Sequence, residues 1–184
     1  THNPNTGQQF SFKTGHFGGS MDGACVGLPD APKSWHCVEM KTSGEKAFNA
    51  LVKDGVQKAK PEHYAQMLCY LAWTGMERAL YMAVCKNTDR LHLERIDFDK
   101  AEADRLFAKA QRIVDAVEPP PGISERPDWY ECKLCDYHDL CHSSDVPLPT
   151  CRSCAHVTPI ADGQWHCTRN NKLLDVPAQK AACQ

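Results

Sequence analysis

The chain has 184 residues, a formal net charge of -2, 42% hydrophobic and 24% charged residues, which is ordinary for one globular domain with an appendage. No run approaches the ~18 apolar residues of a membrane span and no basic-then-apolar leader opens the chain, which excludes a transmembrane helix and a retained signal peptide. The near-zero charge excludes a uniformly basic nucleic-acid coat, so any phosphate contact must come from a local basic surface.

The first forty residues read as strands and turns. Gln9–Lys13 alternates with period two, Gly18–Gly27 reads as one Gly-rich strand, and Trp35–Lys41 as a third strand after a Pro-rich loop. On that third strand Val38 and Met40 are expected on one face, and Cys37, Glu39 and Lys41 on the other. A helix is expected from Gly44 to Asp54, with Ala47, Phe48, Leu51 and Val52 as its apolar face and Gly55 as its stop. Pro61 suits the first turn of a second helix running to Thr74, with Tyr64, Met67, Leu68, Leu71 and Ala72 as its stripe. Arg78–Lys86 and Arg90–Asp97 form a hairpin around Asn87-Thr88-Asp89. Asp99 and Glu102 start a long helix with Leu106, Phe107, Ala110, Ile113, Val114 and Val117 on one face. Pro119-Pro120-Pro121-Gly122 is a stiff break, giving expected divisions at 1–118, 119–142 and 143–184.

Eleven cysteines are the abnormal count. Cys25, Cys37, Cys69 and Cys85 are scattered in apolar stretches and read as small buried hydrophobes. The other seven crowd into the tail, where paired CxxC spacing without a secretory context reads as metal ligation rather than disulfides. The tail has too few apolar residues to bury a core of its own, so bound metal is the expected organiser.

In the first region Glu39-Met40-Lys41 puts a carboxylate and an ammonium on the same face of one strand. Alone this is a common tripeptide and reads equally as an ion pair at a strand end. Three additions sharpen it: Asp22 ends the preceding strand, a helix follows, and Gln66 and Tyr70 share a face of the second helix at i and i+4. Gly19-Ser20-Met21-Asp22, Glu39-Met40-Lys41 and Gln66–Tyr70 resemble the three motifs of the RecB-like branch of the PD-(D/E)xK nucleases. Pro61–Met67, with the hairpin after it, is similar to phage-encoded exonucleases of that branch. The resemblance covers roughly residues 9–142.

That resemblance implies an α/β restriction-endonuclease-like fold, a mixed sheet flanked by helices, with a small metal-stapled C-terminal module. It implies Asp22 and Glu39 as ligands to Mg2+ (or Mn2+), the Met40 carbonyl as a third ligand, and Lys41 as the group that orients water or offsets transition-state charge. Gln66 and Tyr70 would position DNA and the catalytic groups. Such hydrolysis needs a nucleophilic water, charge relief on phosphoryl oxygens and a stabilised leaving alkoxide, all of which Mg2+ can supply. Relatives carry a helix before the first strand that supplies another acidic residue and, in iron–sulfur members, a Cys. Only about eight residues precede the first strand here, so either the front is missing or that function is absent. His16 is a local substitute or a surface histidine. Lys53, Lys58 and Lys60 could meet the DNA backbone or form a solvated face.

In the tail, Cys132-x2-Cys135-x5-Cys141 resembles the cysteine trio that closes the iron–sulfur cluster of RecB-like nucleases, including those of CRISPR adaptation. A [4Fe–4S] cluster would lack a fourth thiolate unless an N-terminal segment supplied it. The alternative is Zn2+ with His138 or His142 completing the tetrahedron. Cys151, Cys154, Cys167 and Cys183 have zinc-ribbon-like spacing and suit Zn2+, with His156 and His166 as alternative ligands. Arg152, Arg169 and Lys172 could touch nucleic acid.

The expected function is Mg2+-dependent DNA cleavage, exonucleolytic, in phage replication or recombination. The partners are DNA and phage recombination or replication proteins, with no membrane, in the cytoplasm of the host cell. A structure-specific endonuclease, or a zinc-containing DNA-binding module with an inactive nuclease core, is the alternative.

Overall fold

The computed structural model describes residues 7–181. It divides into two compact units. One holds the described residues up to Lys13 together with Phe17–Ala110, and the other holds Thr14–His16 and the described residues from Gln111. The division falls within a helix, ahead of the Pro119–Gly122 break.

The first unit is mixed α/β. β1 (Phe10–Thr14) and β2 (Phe17–Met21) form a two-stranded sheet. β3 (Gly23–Cys25), β4 (His36–Ser43), β5 (Arg78–Cys85) and β6 (Leu91–Asp97) form a four-stranded sheet in that order. β4 and β5 are parallel and the other neighbours antiparallel. The single strand expected over Gly18–Gly27 is therefore two strands in two sheets. The chain changes sheets at Asp22, because β2 takes its partner from β1 and β3 takes its own from β4.

Parallel neighbours need a long crossover. Here it is two helices, α1 (Glu45–Ala59) and α2 (Pro61–Thr74), which pack on β4, β5 and β6. α1 does not stop at Gly55. It kinks there, since Gly55 has φ 75° and ψ 166°, a backbone conformation only glycine adopts at little cost. The Val56 N–H released by the kink donates to both Glu94 carboxylate oxygens at 3.0 Å. The kink also re-phases the helix: Val56 is fully buried, while Val52, expected on the apolar face, is 44% exposed.

α2 is buried over Met67–Leu71 and ends at Gly75 in the left-handed conformation, as its sequence indicates. α3 (Lys100–Asp115) begins with Asp99 Oδ1 accepting the Glu102 N–H at 3.0 Å. Its apolar face is used through Ala103 and Leu106, whereas Ile113 is exposed and Val117 lies beyond the helix. The core joins Phe48, Leu51, Val56, Met67, Leu68, Leu71, Ala79, Tyr81 and Cys85. Cys37, Cys69 and Cys85 are buried and Cys25 partly so.

The second unit has two short helices, α4 (Tyr130–Lys133) and α5 (His138–His142). A three-stranded antiparallel sheet follows, β7 (Val157–Ile160), β8 (Gln164–Cys167) and β9 (Lys172–Leu174), then α6 (Val176–Lys180). Little apolar surface is buried: Cys132, Cys167 and Leu174 are, while Val146, Leu148, Leu173 and Val176 stay exposed. No helix among the described residues is long and apolar enough to cross a membrane.

Candidate active site and cysteine clusters

β3 covers β4 only from His36 to Val38. Beyond Val38 that edge of β4 has no ladder partner from β3, and the Asp22 carboxylate takes its place. Asp22 Oδ2 accepts the Met40 N–H at 2.9 Å, and Asp22 Oδ1 accepts from Gln9 Nε2 at 3.3 Å. A strand residue presents its N–H and C=O to the same edge, so the Met40 carbonyl faces the side on which Asp22 lies. The Met40 side chain itself is exposed.

Glu39, one residue earlier, is 1% exposed. Its Oε1 accepts from Lys41 Nζ, while its Oε2 is buried with no hydrogen-bond partner among the described residues. Burial pushes the Glu39 carboxyl above the usual carboxylate range. The Lys41 hydrogen bond and charge pull it back, and the negative charge of nearby Asp22 pushes it further up. Asp22, Glu39 and Lys41 are thus one electrostatic group.

α2 closes the site from the other side. The Tyr70 hydroxyl donates to the Ser20 carbonyl at 2.6 Å and accepts from Gln66 Nε2 at 2.8 Å. The Tyr70 ring is buried in the core rather than lining an open cleft. Only its hydroxyl reaches the Ser20–Asp22 turn, and its pKa is raised by burial first, with Glu39 and Asp22 adding to it. Gly19 allows this approach: a Cβ there would sit 3.0 Å from Tyr70 Cε1 and 3.3 Å from its hydroxyl.

Two residues join the group that sequence reasoning missed. Tyr81 lies opposite Glu39 in the parallel register of β5 and β4 and is buried. Burial, with Glu39 next, pushes its phenol up to about 12. His63, in the first turn of α2, meets the Tyr81 hydroxyl through Nδ1 at 2.9 Å. Its pKa is lowered by burial and by the charges of Lys41 and Lys60, against the opposing pull of Glu62. His63 stands three residues before Gln66, a spacing that puts both on one helix face. Tyr81 left no such signal, because strand register across a crossover is not written in local spacing.

His16 is not a substitute acid or base for this group. It sits in the turn after β1, which belongs to the second unit, and its Nε2 meets the Ile160 carbonyl at 2.9 Å while its ring packs edge-on to Trp165. Lys58 pairs with Asp54 at 3.1 Å and Lys60 with Glu62 at 3.7 Å, while Lys53 is exposed.

In the second unit Cys132, Cys135, Cys141, His138 and His142 line one small cavity of about 40 Å³. Burial raises the Cys132 pKa, and the nearby Cys135 and Cys141 raise it further. Cys135 Sγ accepts the Tyr137 N–H at 3.4 Å. His138 is engaged at both nitrogens, by Asp139 Oδ1 at 2.8 Å and the Pro127 carbonyl at 3.2 Å, which leaves His142 as the imidazole available to this cavity.

A second cavity, about 330 Å³, is lined by Cys151, Cys154, His156, Cys167, Arg169 and Lys172, among others. Cys154 Sγ accepts the His156 N–H at 3.5 Å. His166 neighbours Cys167 on β8 and so projects to the opposite face. Arg152 is tied to Gln179 Oε1 at 3.1 Å. Cys183 lies outside the described residues. Ala181, two residues before it, lines the same cavity, and its carbonyl accepts the Cys151 N–H at 3.2 Å. Among the described residues no three His, Cys, Asp or Glu side chains converge into a group that could hold a metal ion.

No family model matches the chain, and no curated protein matches it. The crystal structure of SSO0001 is similar at 18% identity and a TM-score of 0.42, over 70% of this chain and 52% of that one. The chain therefore spans about half the length of SSO0001.

Proposed function

We propose that the chain is a Mg2+-dependent deoxyribonuclease with a restriction-endonuclease-like core. In this reading it degrades DNA from its ends during phage replication or recombination, alongside phage proteins of those processes in the host cytoplasm. The observation that carries the reading is Glu39: a buried carboxylate with one oxygen on Lys41 and the other without a hydrogen-bond partner among the described residues, beside Asp22. A buried charge is costly unless it is paired or coordinates a metal. Lys41 offsets one oxygen, and a divalent cation is the natural complement to the other.

Asp22 and Glu39 would hold Mg2+ or Mn2+, with the Met40 carbonyl available beside them. Two carboxylates suffice for an ion that keeps several of its waters. When bound, the ion supplies charge relief at the phosphoryl oxygens and lowers the pKa of water. Lys41 offsets negative charge and can orient the attacking water. Tyr70 and Gln66 hold the Ser20 carbonyl and thereby the turn that carries Asp22.

The same reading makes the second unit a metal-stapled module. Cys151, Cys154 and Cys167 would hold Zn2+, with the fourth thiolate from Cys183. Cys132, Cys135 and Cys141 would hold Zn2+ with His142, or a [4Fe–4S] cluster with a thiolate from elsewhere. The shared cavities and the N–H contacts to Cys135 and Cys154 support this, as does the small apolar core, which leaves stability to be supplied by metal.

The test is a cleavage assay on end-labelled linear and covalently closed circular DNA, with Mg2+ and with EDTA. Metal-dependent loss of linear DNA alone supports the exonuclease. Cutting of circles makes the protein an endonuclease. DNA binding without cleavage in any metal leaves a DNA-binding module.

A further inference from the structure

We propose that His63 grips a backbone phosphate of the nucleic acid through Nε2–H, beside Lys60 and Lys41, and that Tyr81 is the positioning residue that fixes the His63 tautomer. The proposal rests on the nuclease reading for the identity of the site and adds the group that holds the substrate.

The tautomer follows from Tyr81. Its phenol is buried, and its hydrogen-bond partner among the described residues is His63 Nδ1 at 2.9 Å. A buried hydroxyl must place its proton on an acceptor. Nδ1 is then the acceptor, so the neutral ring carries its hydrogen on Nε2. The stacked packing of the two rings, 5.8 Å between centroids at 30°, holds the imidazole in that orientation.

The place for an anion is marked by Glu62. Its Oε1 lies 3.8 Å from His63 Nε2 and 3.7 Å from Lys60 Nζ. The Glu62 side chain is 60% exposed, so it can leave, while Lys60 and His63 are partly buried beside it. Lys41 brings a second ammonium: it pairs with Glu39, which lies opposite Tyr81, the residue that holds His63. One neutral N–H and two ammonium groups grouped with a buried carboxylate suit an extended anion. A phosphodiester backbone laid across the Glu39 site is such an anion. Glu62 then acts as a competitor that the backbone displaces.

The test uses the full chain with a short fluorescent DNA. Affinity is read by anisotropy in Ca2+, which permits binding without turnover, and kcat and KM are read in Mg2+. His63→Ala should weaken binding about tenfold or more and raise KM more than it lowers kcat. His63→Gln, which keeps an N–H at the same reach, should recover most of the loss. Tyr81→Phe, which keeps the ring in the core, should fall between. Glu62→Gln should tighten binding by about two- to threefold. A melting curve confirms that each variant is folded. Unchanged affinity in His63→Ala, or a loss that His63→Gln does not relieve, overturns the proposal. A wild-type chain that binds DNA with this pattern but cuts nothing keeps the proposal and removes the nuclease reading. One that cuts while His63→Ala behaves as wild type does the reverse, and one that neither binds nor cuts removes both.

Discussion

The Tyr70 hydroxyl donates a 2.6 Å hydrogen bond to the carbonyl of Ser20, fifty residues earlier in the chain. That bond ties a helix-borne polar group of the site to the segment where the chain leaves one sheet for the other. Two residues on from Ser20, Asp22 takes the Met40 N–H on the open edge of β4. The position of the first carboxylate is thus set by a side chain on α2.

Tyr70→Phe should therefore cost about 1–2 kcal/mol of stability, since it removes the hydrogen bonds that the buried Tyr70 hydroxyl makes to the Ser20 carbonyl and the Gln66 amide. Gly19→Ala should do the same by a different route, because its methyl group would press on Tyr70 at 3.0 Å. Both variants should unfold at lower urea concentration and cleave more slowly. A Gly19→Ala protein as stable as wild type would show that Tyr70 can move away freely.

Glu39→Gln and Asp22→Ala separate chemistry from folding. Each should lower cleavage at least about 10²-fold at any Mg2+ concentration. Neither should unfold the protein, and Glu39→Gln should hold or raise the melting temperature without metal, because it removes a buried charge whose Oε2 has no partner among the described residues. Near-normal cleavage by either variant, measured beside an active wild type, would show that these carboxylates do not carry the reaction.

The Tyr81 phenol supplies a pH signature. Its folded pKa, about 12, lies above the unfolded value of ~10, so folding favours the protonated form. The stability this contributes is complete below pH ~10 and is lost as pH rises toward about 12. Urea midpoints of the wild type should fall across that window, and those of Tyr81→Phe should fall less. Parallel curves for the two proteins would contradict the assignment.

Metal removal should act on the two units differently. A strong chelator should make residues 143–181 sensitive to limited proteolysis while leaving the core around Phe48, Leu68 and Tyr81 resistant, because the tail has little buried apolar surface to fall back on. Elemental analysis should find zinc, reduced by Cys154→Ser and Cys167→Ser. His142→Ala should lower metal content where His138→Ala does not, given that both His138 nitrogens are already bonded. Equal effects of the two histidine changes would place His138 in the ligand shell after all.

Local chemistry made much of the molecule legible. Pro61 and Gly75 bracket α2, Asp99 caps α3, and the turn at Asn87-Thr88-Asp89 separates β5 from β6, each because one residue type favours one backbone conformation. Motif spacing together with a family resemblance singled out Asp22, Glu39, Lys41, Gln66 and Tyr70; in the structure Asp22 meets the Met40 N–H, Glu39 meets Lys41, and Gln66 meets the Tyr70 hydroxyl that reaches Ser20.

Tertiary structure alone decided the rest. The break of the Gly18–Gly27 segment at Asp22 depends on which strand each half pairs with, and pairing is non-local. The exposure of Val52 and burial of Val56 follow from a kink stabilised by Glu94, thirty-eight residues away. Tyr81 entered the site through a parallel register set by a two-helix crossover, and it brought His63 with it. Periodicity reports which face of an element is apolar, but what that face meets, and which polar atom is left without a partner at the meeting, is determined only when distant segments pack.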